Sequence, residues 1–234
     1  MTIVFLTTSA CASGGAPHDE HHEHTGANDH AGDHHGGMPH RFDDAERWAA
    51  VFDAPERDAW QKPDEVVKVV ATRDDLTLVD IGAGTGYFSV RFARALPRGR
   101  VLAVDVEPTL LAHLSGRAAH EGLANLDTSL APFDGPGDRV SGDLAGKVDV
   151  AFMCDTYHHI GDRTAYFRKV AASLAPGGRG VIVDFRLDAE RGPPREHRIA
   201  PDVVEAELGA AGLALVASED FLPEQYLLVF ERAR

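Results

Sequence analysis

The sequence predicts an α/β domain: a largely parallel sheet flanked by helices, preceded by a leader of different character. Three observations carry this. From Leu76 onward, short apolar runs alternate with stretches of helical periodicity. Among these runs, LTLVDI, VDVAFMC and GVIVDF are nearly continuous rather than alternating, as in central parallel strands covered on both faces. The chain closes on two more apolar runs, LALVAS and YLLVFE, whose link, EDFLPEQ, is too short for a crossover and makes the pair antiparallel. The 234 residues suffice for one such domain with a full core, and no repeat of the kind that builds solenoids occurs.

Residues 1–40 hold eight of the thirteen histidines, scattered among Gly, Asp and Ala, and almost no apolar residue after Leu6. Such a segment buries too little surface to fold alone and is expected to be a disordered leader. Its start, MTIVFLTTSACASGG, resembles the end of a bacterial lipoprotein signal in which Cys11 would be lipidated. It departs from that pattern in lacking a basic beginning, in Thr8, and in an apolar run, Ile3 to Leu6, well short of the ~7–15 residues of a signal core. The segments HHEH and DHAGDHH offer clustered imidazoles at His21, His22, His24, His34 and His35. These either ligate a divalent metal or form a polar linker.

The domain proper runs over residues 41–234. Residues 41–71 form an N-terminal helical lid: Phe42, Trp48, Val51 and Phe52 recur at helical spacing, Pro55 interrupts, and RDAWQKP leads into a helix with Pro63 in its first turn and Val66, Val67 and Val70 on one face. The first strand, LTLVDI, hands over to a helix carrying Phe88, Phe92 and Leu96. The second, RVLAVDV, precedes a helix opened by Pro108. A weaker strand follows at LDTSLA, then a Gly/Asp-rich loop from Asp134 to Gly146, the fourth strand, and a helix capped by Asp162 that the turn at Pro176, Gly177 and Gly178 ends. The fifth strand, a polar loop (residues 186–198), a helix over residues 202–211 and the closing pair complete the chain.

Composition excludes some roles. Lys and Arg number 23 against 37 Asp and Glu, and the net charge of −14 repels a phosphate backbone, so no nucleic-acid partner is expected. No stretch approaches the ~18 apolar residues of a membrane span. Cys11 and Cys154 form no disulfide framework or zinc spacing, and the histidines of the domain suggest no metal site.

The chemistry concentrates in VDIGAGTGYFS, residues 79–89, at the handover from strand to helix. Gly82, Gly84 and Gly86 allow a ligand close to the backbone, while the following helix presents free N–H groups. A dinucleotide fingerprint would carry a third glycine where Tyr87 stands, which disfavours a nicotinamide oxidoreductase. Asp80 would repel a pyrophosphate but attract a cationic ligand. The step from Gly82 to Asp105 is one βαβ turn and sets that carboxylate at the end of the neighbouring strand.

In these residues the chain resembles class I S-adenosylmethionine-dependent methyltransferases, those of the type 11 and ubiquinone-biosynthesis groups in particular. VDIGAGTG is similar to their first motif, VLAVDVEP to the second-strand motif, VDVAFMCDTYHHI to the fourth and LAPGGRGVIVDF to the fifth. The resemblance implies a Rossmann-like, doubly wound seven-stranded sheet in the order 3-2-1-4-5-7-6 with strand 7 antiparallel. It implies S-adenosylmethionine as cofactor, with Asp105 on the ribose hydroxyls and Asp80, Gly82, Ala83, Gly84, Thr85, Gly86 and Val106 around the donor. The acidic partner of the adenine amino group is assigned to Asp134, since the family's usual residues are missing there, and Asp155 borders the methyl group. The function expected is methyl transfer to a small-molecule acceptor by in-line displacement. The alternative is a non-catalytic, metal-binding surface lipoprotein on the same fold.

For the acceptor side, Asp155, His158 and His159 follow the fourth strand, and a histidine with a pKa near ~6.5 suits removal of a proton from a hydroxyl or amine. Either histidine could instead bond the loop backbone. Trp60, Tyr157, Arg195 and His197 are candidate substrate contacts, each with packing or solvation as the alternative. Where S-adenosylmethionine is made favours the cytoplasm, and an exported lipoprotein is the other possibility.

Overall fold

The computed structural model describes residues 45–232. The leader, Cys11, the five candidate metal-binding histidines and residues 41–44 lie outside that range. Three helices come first, α1 (Ala45–Phe52), α2 (Glu56–Gln61) and α3 (Pro63–Val70). Strands and helices then alternate: β1 (Thr77–Ile81), α4 (Ser89–Ala95), β2 (Arg100–Asp105), α5 (Pro108–His120), β3 (Leu126–Leu130), β4 (Val148–Cys154), α6 (Arg163–Ser173), β5 (Leu174–Phe185), α7 (Pro201–Ala210), β6 (Leu213–Glu219) and β7 (Gln225–Arg232). The sheet order is β3-β2-β1-β4-β5-β7-β6, with β1 to β5 parallel and β7 antiparallel to both its neighbours, the order the resemblance implied.

Alternation along each strand divides the core into two layers. Leu78, Val101, Ala103, Val150, Phe152, Val181 and Val183 pack with Val66 and Val70 of α3, Phe92 of α4 and Leu114 of α5. Their neighbours Val79, Ile81, Leu102, Val104, Ala151, Met153 and Ile182 pack on the other face with Phe167 and Val170 of α6 and Val204 and Leu208 of α7. Helices thus cover both faces, which is why the central strands lack polar alternation. Helix starts are locally encoded: α3, α5 and α7 each carry Pro in the first turn, and the Asp162 carboxylate accepts the Ala165 N–H at 2.9 Å to cap α6.

The structure departs from the sequence expectation in three places. Glu56–Gln61 is itself a helix, ended by Lys62 in the left-handed region (φ 43°). It is held by polar contacts of Arg57, Asp58 and Gln61 rather than by an apolar stripe, so periodicity did not reveal it. Within the Gly/Asp-rich loop, Arg139–Asp143 forms one π-helical turn that buries Val140. The Pro176–Gly178 turn does not separate helix from strand but lies inside β5: pairing with β4 jumps from Val148 opposite Leu174 to Val150 opposite Arg179, and the excess residues bulge out with Gly177 at φ 74°.

Phe152 sits at the centre of the α3–α5 layer, fully buried, with Phe88 and Phe92 edge-on at 5.0 and 4.9 Å between centroids. Replacing it with alanine (Phe152→Ala) removes a large core side chain, and chemical denaturation should show a loss of about 3–5 kcal/mol.

Candidate active site

The order of the sheet reverses direction between β1 and β4, and ligands of such folds bind outside the carboxyl ends of the strands at that point. At this rim stand Asp80 at the end of β1, Asp105 at the end of β2, Asp155 just beyond β4 and Asp184 near the end of β5. The loop from Gly82 to Gly86 runs between the first two. Its amides at Gly82 and Ala83 bond the Val104 carbonyl of β2 at 2.8 and 3.1 Å, tying the loop to the neighbouring strand.

Gly82, Gly84 and Gly86 all have positive φ. Two of them also lack room for a side chain. A Cβ at Gly82 would lie 2.2 Å from the Thr156 hydroxyl oxygen, so Thr156 brings the chain after β4 directly against the loop. A Cβ at Gly86 would meet Leu114 of α5 at 2.1 Å. Thr85, 1% exposed, has its hydroxyl oxygen without a partner, the only buried side-chain N or O atom in that position among the described residues. A buried hydroxyl left unpaired is costly, so this atom is a candidate for bonding a ligand.

The Asp105 carboxylate is oriented by the backbone: it accepts the Gly84 N–H at 2.8 Å and the Glu107 N–H at 3.0 Å. Burial raises its pKa, while those amides and that of Val106, half-buried beside it, pull the other way. Asp80, 3% exposed, accepts the Ser89 hydroxyl of α4 at 2.5 Å. Burial outweighs this bond and pushes its pKa up to about 7, with Asp105 adding repulsion.

Asp155 has a left-handed backbone (φ 54°), uncommon for a non-glycine residue and associated with functional sites. Its carboxylate, whose pKa burial raises, is bonded by the amides of Gln61 (3.3 Å) and Gln225 and ion-paired with Arg57 at 3.2 Å. Arg57 also donates to Gln61 and to the Phe52 carbonyl (2.8 Å) and lies 4.0 Å from the Tyr87 ring centroid. The Tyr87 hydroxyl donates to Asp58 at 2.5 Å. The helical pair α1–α2 is therefore fastened to the rim. Phe52 comes within 3.7 Å of the space beside Gly84, and Asp53 pairs with Arg117 of α5 at 3.2 Å. Sequence reading missed Arg57, Gln61, Ser89 and Gln225. Arg57, Gln61 and Gln225 act on residues far away in the chain, so nothing in their spacing marks them, whereas Ser89 lies within residues 79–89 and its bond to Asp80 shows only once α4 is placed beside β1.

Other candidates divide. His158 and His159 lie on a 3-10 turn, Tyr157–His159, with ring centroids 4.2 Å apart. The His158 Nδ1 lies 2.9 and 3.0 Å from the two oxygens of Asp184. Tyr157 takes the packing alternative: it is fully buried against Phe167, and its hydroxyl donates to Glu207 at 2.5 Å. The Asp134 carboxylate is largely exposed and pairs with Lys169 of α6 at 3.1 Å. Trp60 faces Phe185 at 5.9 Å, so it covers the end of β5. Arg195 is exposed and His197 half-buried on a second 3-10 turn, Arg195–His197, and neither bonds a rim residue. Arg198, from the same loop, is committed to it: the guanidinium donates to the carbonyls of Arg186, Leu187, Ala189, Arg191 and Pro193. Among the described residues, no group of three or more His, Cys, Asp or Glu is placed to hold a metal ion, and no helix is long and apolar enough to cross a membrane.

Comparison with known proteins gives a consistent picture. Residues 79–179 match a family model described as a methyltransferase domain. The ribosomal protein L11 methyltransferase of Pelotomaculum thermopropionicum is 32% identical over 145 residues, 62% of this chain and 40% of the relative. The cobalt-precorrin-6B C(15)-methyltransferase (decarboxylating) of Salmonella typhimurium is 31% identical over 105 residues, 45% of this chain and 50% of the relative. The chain thus spans about half the length of these curated relatives or less. In shape it resembles a SAM-dependent methyltransferase from Aquifex aeolicus, with a TM-score of 0.72 at 20% identity over 80% of this chain and 97% of the other. It also resembles the [4+2]-cyclase SpnF, with a TM-score of 0.62 at 16% identity over 75% and 81%.

The raised pKa of Asp80 has a consequence for stability. Its folded value, about 7, lies above the ordinary 3.8, so the protonated form favours the fold. That contribution is complete below pH ~4 and lost as pH rises through ~7, up to an order of 4 kcal/mol. The variant Asp80→Asn should therefore gain stability over the unliganded wild type progressively between these pH values in paired urea melts. Parallel curves across the range would contradict the assignment.

Proposed function

We propose that the protein transfers a methyl group from S-adenosylmethionine to a small-molecule acceptor, on the premise that residues 79–179 match a methyltransferase domain model and lie on a sheet of order β3-β2-β1-β4-β5-β7-β6. The observation that carries the reading is the cradle formed by Asp80, the loop Gly82–Gly86 and Asp105, with the unpartnered Thr85 hydroxyl inside it. This set fits the donor. Two carboxylates suit an ammonium and a pair of ribose hydroxyls and would repel pyrophosphate. Tyr87, under the Arg57 guanidinium, occupies the place where a dinucleotide site needs a third glycine, which argues against the oxidoreductase alternative.

When bound, S-adenosylmethionine supplies a methyl carbon on a sulfonium, ready for in-line displacement. Asp105 would hold the ribose, with Val106 beside it; Asp80, Gly82, Ala83, Gly84 and Gly86 would line the methionine side, and Thr85 would bond the donor from below. Asp155 would border the reacting centre, where the α1–α2 lid excludes water. Proximity and exclusion of water supply most of what such a reaction needs. Trp60, Arg195 and His197, on the lid and the loop after β5, are the proposed acceptor contacts.

Titration calorimetry with S-adenosylmethionine tests the reading. We expect binding at micromolar to low-millimolar donor, weakened roughly tenfold or more in Asp105→Ala through loss of hydrogen bonds to a charged group. No heat at millimolar donor would sink the claim. A second expectation follows from Asp80: a cation bound beside it favours the ionised carboxylate, so affinity should rise with pH up to about 7. Titrations at pH 6 in buffers of different ionisation enthalpy should show protons released on binding, and Asp80→Asn should abolish that release.

A further inference from the structure

We propose that Asp184 fixes His158 as a general base with its lone pair on Nε2, so that the acceptor belongs to the class that loses a proton at the methylated atom: a hydroxyl, a phenol or an N–H. The inference rests on the methyl-transfer reading above. Asp184 is buried at the end of β5, and its two oxygens serve the His158 turn and the neighbouring backbone of β5. One or both accept the His158 ring Nδ1 (2.9 and 3.0 Å), Oδ2 accepts the His158 backbone N–H (3.2 Å), and Oδ1 accepts the Phe185 N–H (2.7 Å). A carboxylate only accepts, so Nδ1 carries the hydrogen and Nε2 the lone pair.

The free edge of the ring is the informative part. His158 Nε2 has no hydrogen bond to another described group, yet it is not a sealed orphan, since Thr85 holds the only such atom among the described residues. It therefore keeps an opening while the side chain as a whole is only 4% exposed. A basic nitrogen, oriented from behind and opening from a nearly buried side chain, is what a proton acceptor in a dry site requires. The position agrees: Thr156, two residues before it, packs on Gly82 of the glycine loop, and His158 is near enough to Asp155 to act on its charge. The His159 ring lies tilted against the His158 ring, 4.2 Å between centroids.

The step balances without another reagent. The acceptor's X–H bond breaks, its proton passes to Nε2 and its electron pair forms the bond to the methyl carbon. The carbon–sulfur pair remains on sulfur, leaving a neutral thioether. The imidazolium, held against Asp184, then returns its proton to water.

Imidazole 15N NMR of the full-length protein reads the tautomer without any donor. The wild type should show an Nδ1–H signal that is lost in His158→Gln, and Asp184→Asn should populate the Nε2–H form. A wild-type His158 in the Nε2–H form would overturn the proposal. With methyl-labelled S-adenosylmethionine and a small-molecule extract, the label should appear on an oxygen or nitrogen that bore hydrogen. His158→Gln, compared as folded protein, should lower kcat about 100-fold with donor affinity unchanged. Asp184→Asn should act in the same direction by a smaller factor. Label on a thioether sulfur or a pyridine-type nitrogen, or full turnover in His158→Gln, would refute the base. Loss of donor binding in the wild type would instead refute methyl transfer, and leave the tautomer to be judged by itself.

Discussion

Four carboxylates held at one rim of a parallel sheet are the constraint around which the rest of this protein is arranged. Asp80, Asp105, Asp155 and Asp184 come together because the strands carrying them run the same way and end at the same edge. Burial raises the pKa of the first three. The fold answers each carboxylate differently. Asp105 is met by backbone amides, Asp80 by one hydroxyl, Asp184 by a histidine turn, and Asp155 by two amide side chains and the Arg57 guanidinium. Asp80 has the least compensation for its burial and therefore the strongest preference for a cation from outside.

The answer to Asp155 also explains the lid. A helix of six residues has little stability of its own, and α2 has no apolar face to bury. Arg57 and Gln61 connect it to Asp155, Asp58 connects it to Tyr87, and Trp60 to Phe185. Every one of these partners belongs to the rim or to the start of α4. The helix is thus fastened to the site itself, by polar contacts and one aromatic pair.

Architecture alone does not choose the reaction, since the same shape also carries a [4+2]-cyclase. What separates possibilities is local. In the proposed reading the donor would lie at Asp80, the glycine loop and Asp105, on β1 and β2, and the acceptor at the turn after β4, where Tyr157 anchors into the α6–α7 core, His158 is clamped by Asp184 and Thr156 touches the glycine loop. These two halves meet at the reversal of strand order, the one place where residues from both can reach a single ligand.

The sequence by itself determined the strand–helix alternation, the antiparallel close and the glycine-rich loop, because each is written in neighbouring residues: apolar runs, prolines in first turns, glycines before a helix. The spacing of Gly82 and Asp105 was legible for the same reason, being one βαβ unit long. Only tertiary structure decided the rest. Arg57 reaches Asp155 across 98 residues and His158 reaches Asp184 across 26. Lys169 pairs with Asp134, Tyr157 goes to the core, and Arg198 closes on its own loop. Single hydrogen bonds and ion pairs between distant segments leave no periodicity behind. They depend on which strands lie side by side and which way each side chain points, and a linear pattern carries neither.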